Sequence, residues 1–197
     1  MKPIPENPTV AILGGAGEMG RTAVAIVSQF KQIGELIVAD ANEEEAKGVI
    51  SRNLKSSKTR MGAQFVDVTD SNQLHSFLSD VTIVLNTVGP FYKYGVDVLS
   101  AAIASGCHYI DICDDWEPTI EMMDLDQDAR LNDVLAIIGM GASPGISNLL
   151  ACLVCEELET VKDLFTVWPV DAGERGDAIE KAVKKNKGTS GAIIHWM

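Results

Sequence analysis

Nowhere in these 197 residues do apolar side chains run unbroken over the roughly 18 positions that a membrane-spanning helix needs. The opening Met1-Lys2-Pro3-Ile4-Pro5 has none of the apolar stretch of a secretory signal. Both absences lead to the expectation of a soluble, cytoplasmic chain with no membrane partner. Positive charge is scarce as well, with 16 Lys and Arg against 28 Asp and Glu, a formal charge of −12. Nucleic-acid binding needs a basic face to neutralise phosphates, so no nucleic-acid partner is expected. Cysteine is confined to Cys107, Cys113, Cys152 and Cys155. These suit buried thiols in a reducing compartment better than a disulfide framework. Cys152-Leu-Val-Cys155 has CxxC spacing but no second pair. His75, His108 and His195 form no ligand cluster with it, so no metal is expected.

What is present is an alternation of short apolar runs and helical periods. Strands are expected at 9–13, 35–40, 63–68, 81–86, 108–112 and 134–138. Between them, Met19, Ala23, Ile26, Val27 and Phe30 fall on one helical stripe, and a polar helix is expected at about 42–54. Asp70 is placed to cap a third helix, with Gln73 at the capping-box position. A helix from about 95 to 105 is expected to bury Val96, Leu99, Ala102 and Ile103, and a helix rich in Asp and Met precedes the sixth strand. Six strands, each leading into a helix, predict an α/β fold. Its form is a doubly wound parallel sheet of the Rossmann kind, covered on both faces and spanning 1–143.

Pro144 and Gly145 then break the chain, and Ile146, Leu149, Leu150, Leu153 and Val154 restart a helical stripe. A strand-like run covers 161–170. A Lys-rich helix follows from about 177, and its Lys181, Lys184, Lys185 and Lys187 read as a solvated face. Residues 144–197 are expected to open a second, α+β substrate domain that this chain leaves incomplete.

The chemistry-bearing signal starts at Val10 with VAILGGAGEMGR. Gly15-x-Gly17-x-x-Gly20 lies between a strand and a helix, the setting of a dinucleotide site. Gly15 allows a tight turn, Gly17 lets backbone approach a diphosphate, and Gly20 lets helix and strand pack closely. The loop Gly15, Ala16, Gly17, Glu18, Met19 and Gly20 then presents helix N-terminal amides to the phosphates. Asp40 stands twenty positions after Gly20, at the end of ELIVAD. A carboxylate there accepts hydrogen bonds from ribose hydroxyls and repels a 2′-phosphate. The cofactor is therefore NAD or NADP, with NAD favoured, although Arg21 or Arg52 is able to fold over a phosphate. Asp67 and Val68 stand either beside the adenine or simply at a strand end. Asn86, Gly89 and Pro90, in LNTVGPFYKYG, face the nicotinamide half, unless Asn86 is only a turn former.

The motifs GGAGEMG, NTVGPFYKYG, SGCHYID and GASPGISN follow one another in this order. Over most of 9–150 the chain resembles the saccharopine dehydrogenase-like oxidoreductases. The resemblance implies a two-domain enzyme that moves a hydride between a nicotinamide and a C–N centre of an amino-acid-like substrate. It implies Gly15, Gly17, Gly20 and Asp40 at the dinucleotide, and Asn86, Gly89, Pro90, Tyr109 and Asp111 around its far end. Most of that family's substrate-binding half is not in these residues.

For the chemistry itself, Asp111 and Asp114 are the catalytic candidates, either orienting a substrate amine and taking its proton or capping a helix near Trp116. Tyr109 reads as core. Ser147 and Asn148, or the free amides at their helix start, receive a substrate carboxylate or merely begin a helix. The Tyr-x-x-x-Lys pair of short-chain dehydrogenases is missing, since Tyr92-Lys93-Tyr94 has the wrong spacing. The function expected is an NAD(P)-dependent oxidoreductase acting on a small amino-acid-like molecule, with a homodimer allowed. The alternatives are a non-catalytic NAD(H)-binding regulatory module and a carbonyl or enoyl reductase on the same scaffold.

Overall fold

A computed structural model describes residues 2–166. Its elements alternate as β1 (Thr9–Leu13), α1 (Glu18–Val27), β2 (Glu35–Asp40), α2 (Glu43–Asn53), β3 (Arg60–Phe65) and α3 (Ser71–Ser79). They continue as β4 (Ile83–Asn86), α4 (Phe91–Ala104), β5 (His108–Asp111), α5 (Trp116–Met123), α6 (Asp126–Leu131), β6 (Ala136–Ile137) and α7 (Ile146–Glu156). The six strands make one parallel sheet in the order β3-β2-β1-β4-β5-β6. Apolar side chains fill both faces, with Val10, Ile12, Leu36 and Val38 in one core and Ala11, Leu13, Val84 and Tyr109 in the other. Such continuous burial is why these strands read as unbroken apolar runs. Strand order reverses between β1 and β4, which opens a crevice at their C-terminal ends. A first compact unit ends at Leu149 and a second begins at Leu150.

Several local expectations shift. α1 buries Gly20 and Val24, while Met19 and Ile26 of the predicted stripe are more than half exposed. The cause is Gly20: a Cβ there would run into the backbone of Gly14 and Gly15, so the helix rests on its glycine rather than on its largest side chains. β3 begins at Arg60, three residues before the expected run, because pairing with β2 starts at Glu35↔Arg60. As an edge strand it buries none of its residues, so apolar spacing finds the strand but not where it starts. α4 starts at Phe91 directly after Pro90, and a Cβ on its Gly95 would stand 2.5 Å from Met122 Cε, so α4 and α5 pack closely there. The Asp- and Met-rich stretch forms two helices, α5 and α6, and β6 has only two residues. Asp70 caps α3 as expected, accepting from Asn72 N and Gln73 N. Gln73 reaches Asp67 N instead of closing the box. Residues 161–166 hold no strand, and the rest of that run and the Lys-rich helix lie outside the described residues.

Candidate dinucleotide site

Ala39, Leu13, Asn86 and Asp111 are register partners across β2, β1, β4 and β5. The segments that follow them therefore open on one edge, and the glycine loop, Asp40, Asn86–Pro90 and Asp111–Asp114 all lie there. The tight turn after β1 belongs to Gly14, whose φ is +73°. Gly15 is excluded from carrying a side chain for another reason, since a Cβ would stand 2.6 Å from Val38 Cγ1. Thr87 holds the turn from the β4 side, with Oγ1 donating to Leu13 O at 2.7 Å and to Gly14 O at 3.2 Å. Ala39 O accepts from Gly15 N at 3.1 Å on the β2 side. Gly17 is the N-cap of α1 and has no side chain to cap it, which leaves the first-turn amides of Glu18 and Met19 facing the crevice mouth.

Asp40 is half-buried at the end of β2. Its Oδ2 accepts from Ala16 N at 2.9 Å and its Oδ1 from Asn42 N at 2.9 Å. Each oxygen keeps a second lone pair, so the carboxylate orders the loop and still has acceptor capacity toward the crevice. At the outer end, Asp67 Oδ1 accepts from Thr69 Oγ1 at 2.7 Å and Thr69 N at 2.9 Å. Those two bonds hold the carboxyl below the usual carboxylate range, with the hydroxyl contributing more. Val68, beside it, is half-buried.

Across the switch point the polar groups are sealed. Asn86, Tyr109 and Asp111 are each 0% exposed. Asn86 Nδ2 donates to Tyr109 Oη at 3.0 Å, and Tyr109 Oη donates to Asp111 Oδ2 at 2.8 Å. Asn86 Oδ1 accepts from Val88 N, and Asp111 Oδ1 accepts from Cys113 N at 3.0 Å and from Gly139 N at 2.7 Å. Burial, followed by the Asp111 charge, pushes the Tyr109 hydroxyl well above its ordinary value, so it stays protonated and donating. Asp111, a catalytic candidate from its position in the sequence, thus has both oxygens engaged away from solvent. It ties the ends of β4 and β5 to the loop after β6. Asp114 is exposed on the same edge, and the N-cap of α5 is Asp115. A Cβ on Gly89 would meet nothing within 4 Å, so the bend before Pro90 presents open backbone. At the start of α7, Ile146 N and Ser147 N already donate to Gly141 O and Ala142 O, and Ser147 Oγ donates to Asn148 Oδ1. Those two amides are not available to a substrate carboxylate.

A family model described as the saccharopine dehydrogenase NADP binding domain matches residues 10–137, the span that builds this edge. The chain belongs to the saccharopine dehydrogenase-like family. Its sheet is a Rossmann sheet, and the domain is an NAD(P)-binding domain of that family. Among curated proteins it is similar to a lipid droplet localized protein of Caenorhabditis elegans, 30% identical over 108 residues, covering 52% of this chain and 25% of the relative. It is also similar to the saccharopine dehydrogenase-like oxidoreductase of Rattus norvegicus, 25% identical, covering 53% of this chain and 27% of the relative. The chain therefore spans about a quarter of the length of these relatives. Among solved structures the fold matches apo saccharopine dehydrogenase (L-Glu forming) from Saccharomyces cerevisiae. The TM-score is 0.60 at 20% identity, covering 77% of this chain and 31% of the other.

Two positions and one link escaped sequence reading. Gly14 was hidden in a run of glycines whose spacing favours Gly15. Thr87 sits in the resemblance motif but acts on β1, 74 residues earlier. Tyr109 reads as core, yet its spacing to Asp111, two apart on one strand and so on one face, is the signal that could have joined them.

Proposed function

We propose that this chain is the dinucleotide-binding part of an oxidoreductase that prefers NAD and acts on a C–N centre of an amino-acid-like substrate. The observation that carries this reading is Asp40, which orders the glycine loop through Ala16 N and keeps acceptor capacity beside uncapped helix amides. The nicotinamide, when bound, supplies or takes up the hydride. Glu18 and Met19 amides receive the diphosphate, with Gly15, Gly17 and Gly20 keeping side chains out of its path. Asp40 accepts from the ribose hydroxyls, Asp67 and Val68 border the adenine, and Gly89 and Pro90 offer backbone to the ring. Asp114, exposed past β5, holds or takes the substrate amine proton, and Asp111 with Asn86 and Tyr109 positions the edge around it. The family description names NADP, whereas a carboxylate at the ribose disfavours a 2′-phosphate. NAD preference is thus the sharper part of the proposal.

Titration of the chain with NADH and NADPH by ligand fluorescence, repeated with Asp40→Ala, is the test. Tighter NADH binding that weakens about tenfold in the variant is expected, the loss of one charge-assisted bond. Binding of neither dinucleotide would overturn the site. Equal binding of both, unchanged by the substitution, would overturn the ribose assignment. Turnover of an amine-containing panel by a chain carrying the relatives' remaining length checks the substrate class.

A further inference from the structure

Six residues close a ring of hydrogen bonds at the ribose end of the crevice. Ala16 N donates to Asp40 Oδ2 at 2.9 Å and Asn42 N donates to Asp40 Oδ1 at 2.9 Å. Glu45 N donates to Asn42 Oδ1 at 3.2 Å, and the Arg21 guanidinium donates to Glu45 Oε2 at 3.2 Å. Arg21 N donates to Gly17 O at 2.9 Å, which returns the ring to the glycine loop. Glu45 is the third residue of α2, where a capping box would fold its carboxylate back onto the N-cap amide. Asp40 already occupies that amide, so Glu45 reaches across to α1 instead.

The consequence is electrostatic. A 2′-phosphate, the group that distinguishes the two dinucleotides, needs a cation where the β2 carboxylate meets the ribose. Arg21, one position past Gly20 on α1, is the cation this ring contains, and Glu45 neutralises it. Lys47, on α2, is engaged by Glu43 at 3.0 Å and Glu44 at 2.8 Å. We propose that Glu45 is a specificity-determining residue, which sets dinucleotide choice by holding Arg21 in an ion pair and so withholding it from a 2′-phosphate. The proposal rests on the dinucleotide reading above. It goes beyond that reading by moving selectivity from Asp40 alone to an ion pair between two helices.

The experiment measures dissociation constants for NADH and NADPH on the full chain by ligand fluorescence, with thermal melting as the check on folding. Both members of the pair are half exposed, with side-chain exposures of 50% and 52%. An exposed pair corresponds to at most about a fivefold factor, and that is the expected gain of NADPH relative to NADH in Glu45→Gln. Adding Arg21→Ala to that variant is expected to erase the gain. Arg21→Ala alone is expected to leave the ratio where it was, because the wild-type arginine is already spoken for. A Glu45→Gln ratio within about twofold of wild type overturns the proposal, given the fivefold expectation. A selective loss of NADPH binding in Arg21→Ala alone also overturns it, and this arm serves if Glu45→Gln does not fold. Failure of the wild-type chain to bind either dinucleotide instead overturns the underlying site, and the wild-type titration reads that before any variant is compared.

Discussion

Asp40 and Asp111 end equivalent strands on the two sides of the switch point, and each gathers backbone amides from the loops around it. Asp40 takes Ala16 N and Asn42 N while remaining half-buried. Asp111 takes Cys113 N, Gly139 N and the Tyr109 hydroxyl at 0% exposure. The difference lies in what surrounds the carboxylate. Around Asp40 are a glycine loop and a helix cap, which leave one side open. Around Asp111 are a tyrosine, an asparagine and a loop arriving from 28 residues downstream, which close every side. A strand-end carboxylate is therefore left open to the crevice or sealed as scaffold according to its neighbours, and its own position does not decide.

The comparison breaks most sharply at Asp111. Asp111→Ala would leave two amides and a hydroxyl without their buried acceptor, at about 1–3 kcal/mol each, so urea unfolding is expected to show a loss of about 3 kcal/mol or more. Unfolding within about 1 kcal/mol of wild type would show that the sealed side does not depend on this group. The same sealed half contains Cys107, whose thiol burial pushes up to about 12 from an ordinary 9.0. Between those two values the unfolded chain releases a proton that the folded chain keeps. Stability due to this group is thus present below pH 9 and falls by about 1.4 kcal/mol per pH unit as pH rises toward 12. Denaturation series at pH 8 to 11 (about the range accessible before general alkaline unfolding) should show a flatter decline in Cys107→Ala, after allowing for its lower starting value.

On the open side the effects are smaller and appear in binding. Asp40→Ala is expected to cost about 1 kcal/mol in unfolding. The same variant should weaken NADH about tenfold, a split between stability and affinity opposite to that at Asp111. The smallest effect is at Asp67. Thr69→Val removes the hydroxyl that contributes most to its lowered pKa, so the carboxyl titration followed by NMR should move up toward the ordinary value. The stabilisation attached to that depressed value exists above the ordinary carboxylate pKa and is lost as pH falls through the lowered one. An unchanged titration would remove the Thr69 hydroxyl as its cause.

Much of the open side was legible because its determinants are local. Gly15, Gly17, Gly20 and Asp40 are picked out by spacing alone, and the four central strands β2, β1, β4 and β5 stand out as buried apolar runs. The sealed side was not legible in the same way. Asp111 and Asp114 look alike in sequence, three positions apart at one strand end, and only the loop bearing Gly139 decides which is covered. β3 was expected three residues late for the converse reason, since its start is set by pairing with β2 and not by a buried face. Of the stripe predicted for α1, Ala23 and Val27 pack on the core while Met19, Ile26 and Phe30 stay exposed, because a glycine sets the approach of that helix. Hydrophobic periodicity ranks large side chains and cannot see a contact made by a missing one. The Arg21–Glu45 pair joins positions 24 residues apart on two helices, a distance that no local motif reports.

The tethers on the turn after β1 have a further consequence. Thr87 fastens it to one neighbouring strand and Ala39 O fastens it to the other before any small molecule arrives. Capture of a nucleotide then spends little free energy on freezing backbone, and more of each new contact survives as affinity. A weakened grip after Thr87→Ala, with the heat of association less opposed by entropy in the parent than in the variant, would be the calorimetric trace of that rigidity.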